Sequence, residues 1–227
     1  MPNRHDRTEP GTPDDLVRAV VAAGVQHERV LQAMREVPRA GFVPPELVVR
    51  AYDDAPVPIP HGQVTTQPSL VAQMIAALTL TGDERVLEIG AGYGYQTALL
   101  ARLARFVWSV ERWPDLADAA RSNLARHGVA NVEVVAGDGS LGLPAHAPFD
   151  AIVVAAAFPE VPPPLVAQMA VGGRLVQPIG PGGAEEVVLF EKDARGLHRR
   201  GVVTLAHFVR LYGAHGFAAE RQSPDER

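Results

Sequence analysis

The chain has 227 residues, of which 47% are hydrophobic, enough to bury one full core but not two large domains. A formal net charge of −5 argues against a protein that binds nucleic acid through clustered cations. Cysteine is absent, which excludes disulfides, thiolate nucleophiles and thiolate metal sites. The first ten residues contain no apolar signal peptide core, and no later apolar segment approaches the roughly 20 residues of a membrane-spanning helix. We therefore expect a cytoplasmic protein without nucleic-acid or membrane partners.

The two ends of the chain, residues 1–11 and 218–227, are polar and rich in Pro, Asp, Glu and Arg. Such segments offer too little apolar surface to offset the entropy of ordering them, so we expect both to be disordered tails. The first ordered element should be a helix capped by Thr12, with Asp15 completing a capping box. This helix should end near Gly24.

Residues 12–80 are expected to form an N-terminal helical lobe that also carries a substrate loop. A second helix is predicted by apolar residues that recur at helical spacing, namely Val30, Leu31, Met34 and Val37. The stretch 56–68 reads PVPIPHGQVTTQP, which is too rich in proline for a helix or a central strand and predicts a loop. A third helix should begin near Ser69.

In residues 81–217, short β-branched segments alternate with helical ones. The predicted strands are 85–89, 106–111, 131–136, 150–155 and 174–179, and the predicted helices are 95–104, 114–127 and 162–170. This alternation indicates βαβ units and a parallel sheet. Two consecutive strands, 186–191 and 201–209, predict an antiparallel hairpin at the sheet edge. The fold class is therefore α/β and Rossmann-like, with a mostly parallel sheet.

A glycine-rich turn directly follows the first strand of this sheet. Gly90, Gly92 and Gly94 stand between that strand and a helix, where doubly wound sheets bind nucleotide-like ligands. Position 95, the third glycine of a dinucleotide fingerprint, is Tyr95, and the Glu88 carboxylate would repel a pyrophosphate. The turn therefore disfavours NAD. The plainer alternative is an ordinary strand–turn–helix junction.

Two further carboxylates follow later strands. Glu111 ends the second strand about 20 residues after the glycine turn, the spacing at which a carboxylate can accept hydrogen bonds from both ribose hydroxyls. Asp138, with Gly139 beside it, follows the third strand and can accept the exocyclic amine of an adenine. The alternatives are a solvated surface carboxylate for Glu111 and a common turn for the Asp-Gly pair.

The pattern E-x-G-x-G-x-G, from Glu88 to Gly94, resembles motif I of S-adenosylmethionine-dependent methyltransferases. This resemblance implies S-adenosyl-L-methionine as the cofactor. It also implies that the acidic side chain and the glycine backbone surround the amino acid portion of that cofactor.

Several segments look like the protein-L-isoaspartate O-methyltransferase family, in order and at family spacing: residues 28–43, 56–68, 83–100, 132–142 and 171–180. ERVLQAMREVPR and PIPHGQVTTQP are particular to this family, and the resemblance covers about residues 14–213. It implies methyl transfer to the α-carboxyl of L-isoaspartyl residues in damaged peptides and proteins. The ester then collapses to a succinimide, which initiates repair.

The family's loop usually reads G-Q-T-I-S-Q-P, whereas residues 62–68 read GQVTTQP. Thr66 therefore takes the place of the serine at the reacting centre, while Val64 and Thr65 replace a threonine and an isoleucine. The resemblance implies that Thr66 is catalytic and that Thr65 and Gln67 lie against the cofactor. Alternatively, the Thr66 hydroxyl caps the helix that follows.

The final strand also departs from the family, which typically has V-R-F-V-P-L where residues 206–211 read AHFVRL, with His207 and Arg210. These changes leave open a carboxyl methyltransferase for an aspartate of a specialised peptide, or a non-catalytic relative, against which the retained Thr66 argues. The eight histidines show no H-x-x-x-H spacing, so we expect no metal site. We favour surface or structural roles for His61 and His207, and we expect a monomer.

Overall fold

The computed structural model describes residues 11–218, and most of each expected tail lies outside the described residues. The helices are α1 (Pro13–Ala22), α2 (Glu28–Glu36), α3 (Pro68–Leu78), α4 (Tyr95–Leu103), α5 (Pro114–Arg126) and α6 (Pro163–Gln168). The strands are β1 (Val57–Ile59), β2 (Gln63–Thr65), β3 (Arg85–Ile89), β4 (Phe106–Glu111), β5 (Val132–Ala136), β6 (Phe149–Val154), β7 (Met169–Ile179), β8 (Glu185–Asp193) and β9 (Gly196–Ala206).

The large sheet has seven strands in the order β5-β4-β3-β6-β7-β8-β9. The pairs from β5 to β7 are parallel, and β8 runs antiparallel to both β7 and β9. The predicted α/β fold with an antiparallel C-terminal hairpin is thereby confirmed. The chain leaves β3 towards β4 on one side and returns to β6 on the other. The carboxyl ends of these strands therefore frame the switch point at which such sheets bind ligands.

Several element bounds differ from those predicted, and two of the differences have a clear structural cause. Helix α6 ends at Gln168, because Met169 already pairs with Phe149 at the start of β7. Strand β9 ends at Ala206 instead of residue 209, because the chain then leaves the sheet edge and hydrogen-bonds to the backbone of Ala157, just after β6. This departure brings the end of the described chain to the switch point.

The N-terminal helices pack directly on one face of the sheet. Thr12 caps α1 through the predicted capping box with Asp15. Val20 of α1, Met34 of α2 and Val86 of β3 belong to the same buried hydrophobic cluster, so lobe and sheet share a core. A domain boundary at residue 80 stays a prediction. None of the helices in residues 11–218 combines the length and apolar character needed to cross a bilayer.

Residues 56–68 are not the irregular loop that the prolines predicted. They contain an antiparallel ribbon in which Val57 of β1 pairs with Thr65 of β2. Proline is compatible with such a ribbon because its two strands have open edges, where no ladder hydrogen bond is lost. The ribbon turns at His61 and Gly62, whose φ angles are 62° and 64°. We call residues 57–65 the roof hairpin.

A buried arginine fixes the base of the roof hairpin. Arg39 is 0% exposed, and its guanidinium donates hydrogen bonds of 2.9–3.3 Å to five acceptors: the carbonyls of Ala51, Asp53, Ala55 and Thr66 and the hydroxyl of Thr65. Burial lowers the pKa of Arg39 to about 10, so it stays charged at neutral pH. One side chain thus joins the segment before β1 to the residues at the end of β2.

We predict that Arg39→Met lowers the free energy of unfolding by about 3 kcal/mol, because the buried acceptors lose their donors. Arg39→Lys should lower the free energy of unfolding by a smaller amount, because an ammonium retains the charge. Some loss should remain, because an ammonium cannot reach all the acceptors at once. Chemical denaturation measures both changes. The exposed Arg126→Met is the matched control and should change stability by less than about 0.5 kcal/mol. Equal stability of the Arg39→Met and Arg126→Met variants would contradict this account.

Candidate active site

A cavity opens at the carboxyl ends of β3, β4 and β6, next to the switch point. The backbone of Gly90 and Gly92, between β3 and α4, forms one wall, with φ angles of 97° and 53° that suit glycine. The roof hairpin lies above, with Ile59 Cδ1 3.5 Å from the position that a Cβ of Gly92 would occupy. Because Gly92 has no side chain, the backbone of this wall remains accessible to a ligand.

The cavity brings together six of the residues singled out in the sequence, namely Thr65, Thr66, Gly90, Gly92, Glu111 and Gly139. Four others do not line it: Gln67, Glu88, Gly94 and Asp138. The first set comes from the end of the roof hairpin and the residue after it, and from the ends of three parallel strands. The second set surrounds the cavity, and the contacts of each member show what it does instead.

Glu111 presents a buried carboxylate to the cavity. The side chain is 5% exposed, and its two oxygens accept hydrogen bonds from the backbone N–H groups of Gly92 at 2.9 Å and Trp113 at 3.0 Å. Burial raises the pKa of Glu111, against these hydrogen bonds. Because each carboxylate oxygen has two lone pairs, both can still accept a bond from a ligand hydroxyl.

Glu88 lies beneath the cavity and does not line it. It is 0% exposed, and one carboxylate oxygen accepts hydrogen bonds from the hydroxyls of Ser109 and Thr97. Burial raises the pKa of Glu88 to about 7, although those hydroxyls favour the charged form. Glu88 therefore ties β3 to β4 and α4 and supports the glycine turn from below.

Gly94 and Gln67 also serve the walls without lining the cavity. Gly94 is the N-cap of α4 with a φ of 91°, and a Cβ there would lie 3.3 Å from the side chain of Leu124. Its small size thus lets α4 pack on α5. The Gln67 amide donates to Asp54 and to the hydroxyl of Ser69. Both residues hold neighbouring elements together.

Asp138 uses its carboxylate within the chain. One oxygen accepts from the backbone N–H and hydroxyl of Ser140, and the other accepts from the N–H of Ala214. The side chain faces a shallow groove beside Tyr212 instead of the cavity, whereas Gly139 lines the cavity directly. On this side, the cavity wall is therefore formed by the backbone next to Asp138 and not by the Asp138 carboxylate.

Thr66 lies where the cavity meets a second groove. It lines both, together with Val64, Ala155 and Val209. The second groove runs between α3 and the end of β9, and two apolar side chains in it are exposed: Val64 is 41% exposed and Leu205 is 74% exposed. A molecule in the groove and another in the cavity would therefore meet at Thr66.

The hydroxyl of Thr66 does not cap α3, which excludes the alternative raised by the sequence. The N-cap residue is Gln67. The backbone N–H of Ser69, which has no partner within the helix, donates to Asp54 Oδ1 at 2.8 Å. In residues 11–218 the hydrogen bond of Thr66 runs from Arg39 to its carbonyl. The backbone is thus held while the hydroxyl remains available.

The sequence reasoning missed the aromatic side of the cavity. Trp113 and Tyr212 line it, and the guanidinium of Arg112 lies 4.9 Å and 4.6 Å from the centres of their rings. Trp113 lies two residues after Glu111, so its nearness to the cavity could have been predicted from the sequence. Tyr212 had no local signal, because only the return of the chain after β9 brings it here.

Within residues 11–218, no group of three His, Asp or Glu side chains is arranged to hold a metal ion. The polar groups that line the cavity are a carboxylate, backbone amides, hydroxyls, amide side chains and the side chains of Arg112 and Arg210, set among apolar and aromatic residues. This combination suits an organic ligand with hydroxyls and an apolar ring.

Comparison with known proteins agrees with this geometry. The sequence model of the protein-L-isoaspartate(D-aspartate) O-methyltransferase (PCMT) family matches residues 12–216. A protein-L-isoaspartate O-methyltransferase from Methanoculleus marisnigri is 52% identical over 202 residues, which are 88% of this chain and 90% of the relative. One from Anaeromyxobacter dehalogenans is 53% identical over 190 residues, 83% of this chain and 91% of the relative.

Solved structures give the same result. A protein-L-isoaspartate O-methyltransferase aligns with a TM-score of 0.77 and 29% identity, over 90% of this chain and 67% of the other. The fold is also that of a putative protein-L-isoaspartate O-methyltransferase from Plasmodium falciparum, solved with S-adenosyl-L-homocysteine, with a TM-score of 0.76 and 22% identity over 89% and 99% of the two chains. The present chain belongs to the protein-L-isoaspartate(D-aspartate) O-methyltransferase family.

Proposed function

We propose that this chain transfers the methyl group of S-adenosyl-L-methionine to the α-carboxyl of L-isoaspartyl residues in damaged peptides and proteins. The observation that carries this function is the position of Thr66, at the junction of the cavity and the groove beside β9. We propose that the chain acts as a monomer. We also propose a cytoplasmic location and peptide partners without nucleic acid or membrane.

The polar groups of the cavity fit S-adenosyl-L-methionine. Glu111 would accept the ribose hydroxyls, and the backbone of Gly90 and Gly92 would face the amino acid portion. Gly139 would lie against the adenine, while Thr65 would contribute to the roof. Gln67, Glu88, Gly94 and Asp138 would hold these groups in place through the contacts described above. When bound, the cofactor supplies an electrophilic methyl group on a sulfonium.

The groove would hold the acceptor peptide with its free carboxylate at Thr66. A carboxylate is ionised at neutral pH and needs no general base to act as a nucleophile. The chain's task is therefore orientation and exclusion of water. The Thr66 hydroxyl would donate a hydrogen bond to one carboxylate oxygen, which turns the other oxygen towards the methyl group.

Methyl transfer from tritiated S-adenosyl-L-methionine should be much faster to an isoaspartyl peptide than to its normal aspartyl twin. The physical reason is that only the isoaspartyl linkage presents a free α-carboxyl. Transfer to the aspartyl twin alone would favour the alternative of a specialised aspartate substrate, in keeping with the altered Val64. Transfer to neither peptide, with intact cofactor binding, would contradict the repair function.

Calorimetry should show one S-adenosyl-L-homocysteine bound per chain and no response to NAD. Glu111→Ala should weaken binding by about 1–3 kcal/mol, since hydrogen bonds to a charged acceptor are lost. Because burial raises the pKa of Glu111, wild-type affinity should fall at mildly acidic pH, where the carboxylate takes up a proton. That loss should be absent from Glu111→Ala.

The exposed Glu186→Ala is the control for Glu111 and should bind as the wild type does. Undiminished binding by a folded Glu111→Ala variant would remove Glu111 from the site.

Thr66→Val should lower turnover by about one to three orders of magnitude, the scale of losing one placed hydrogen-bond donor. Cofactor affinity and melting temperature should hardly change, because Asp54 and not Thr66 satisfies the start of α3. Thr66→Ser, which keeps the hydroxyl, should retain activity. Single-turnover rates and thermal melts measure these effects. Wild-type turnover in Thr66→Val would show that the hydroxyl has no role in methyl transfer.

A further inference from the structure

The tip of the roof hairpin is joined to the opposite rim of the cavity. The ring of His61 stacks on that of Trp113, with centroids 4.0 Å apart and planes 6° apart. Its Nε2 lies 2.8 Å from one carboxylate oxygen of Asp115 and 3.0 Å from the other. Asp115 belongs to the first turn of α5. We call His61, Trp113 and Asp115 the clasp, because they connect the roof to the rim.

The two ends of the roof hairpin are held very differently. Its base is fixed by the fully buried guanidinium of Arg39. Its tip is solvent-exposed, and the side chains of the ion pair are 31% exposed for His61 and 59% exposed for Asp115. Exposed pairs of this kind are weak. Motion that opens the cavity should therefore hinge at the base and break the clasp.

The backbone conformation at the tip indicates a role for the His61 side chain. Its φ of 62° lies in the left-handed region, which is uncommon for a residue other than glycine, and Gly62 follows with the same sign. This conformation is less favourable for histidine than for glycine. The contacts of the ring with Trp113 and Asp115 therefore offset the free-energy cost of this backbone conformation.

The clasp closes over the part of the cavity next to Glu111. The backbone N–H of Trp113 donates to the Glu111 carboxylate, so one residue contacts both the proposed ribose site and the hairpin tip. A ligand held by Glu111 would have at least two ways out. One passes beneath the tip, and the other passes Thr66 into the groove that the acceptor peptide would fill.

We propose that His61 is a positioning residue that holds the roof hairpin closed over the bound cofactor, and that cofactor and product exchange when the clasp opens. This inference rests on the proposed function for the identity of the ligand. Because the clasp joins parts of the protein alone, it closes the cavity whether or not ligand is present. Breaking it should increase the open fraction, which speeds entry and exit together.

Stopped-flow fluorescence with S-adenosyl-L-homocysteine tests this gate, since Trp113 lines the cavity and reports binding. His61→Ala should raise both the association and the dissociation rate constants by about 3- to 30-fold, the combined scale of one stacked ring pair and one exposed ion pair. The dissociation constant should stay within about twofold. Asp115→Asn, which leaves the hairpin sequence intact, should shift both rates in the same direction by less.

The chain contains a matched control. His198 and Asp193 form another exposed pair at 2.9 Å in the β8–β9 hairpin, and His198→Ala should leave both rates unchanged. Faster dissociation with unchanged association would make His61 a ligand contact and overturn the gate. Unchanged rates in both clasp variants would also overturn it and place the exit at the groove. If the wild type binds no S-adenosyl-L-homocysteine, the proposed function fails before the gate is tested.

Discussion

The candidate site depends on one buried cation, which must donate hydrogen bonds to oxygen atoms of the surrounding chain. Arg39 is fully buried, and a guanidinium in that position must be surrounded by acceptors because an unpaired buried charge is costly. The segment before the roof hairpin and the end of β2 supply those acceptors. The same requirement orients Thr66, whose carbonyl faces the arginine and whose side chain lines both the cavity and the groove.

Two carboxylates on neighbouring strands illustrate how position in a sheet decides a role. Glu88 lies inside β3, opposite Ser109 of β4, and one of its carboxylate oxygens accepts hydrogen bonds from the hydroxyls of Ser109 and Thr97. Glu111 is the last residue of β4, where the strand meets the switch point and backbone N–H groups hold its carboxylate at the cavity wall. The first therefore stabilises the framework, and the second is available to a ligand.

Much of this arrangement is predictable from the sequence, because it follows from local rules. The capping box at Thr12 and the strand 85–89 occur as expected, since each depends on near neighbours. The roof hairpin was missed because proline rules describe central strands, whereas this ribbon has open edges. The sequence did not predict that the Glu88 side chain is buried within the protein, because a sequence motif does not state which face of a sheet a side chain occupies. Tyr212 reaches the cavity only through the complete fold.

The path of the chain after β9 has a consequence for when the site can exist. Residues 209–212 hydrogen-bond beside the end of β6 and supply part of the cavity wall, although they lie close to the C-terminal end of the described chain. Synthesis proceeds from the N-terminus, so the framework of β3 to β7 can assemble while these residues are still inside the ribosome. A chain at that stage would have the glycine turn and Glu111 but an incomplete cavity. Ligand binding, and the stability that it adds, therefore becomes available only once the chain has been made through residue 212.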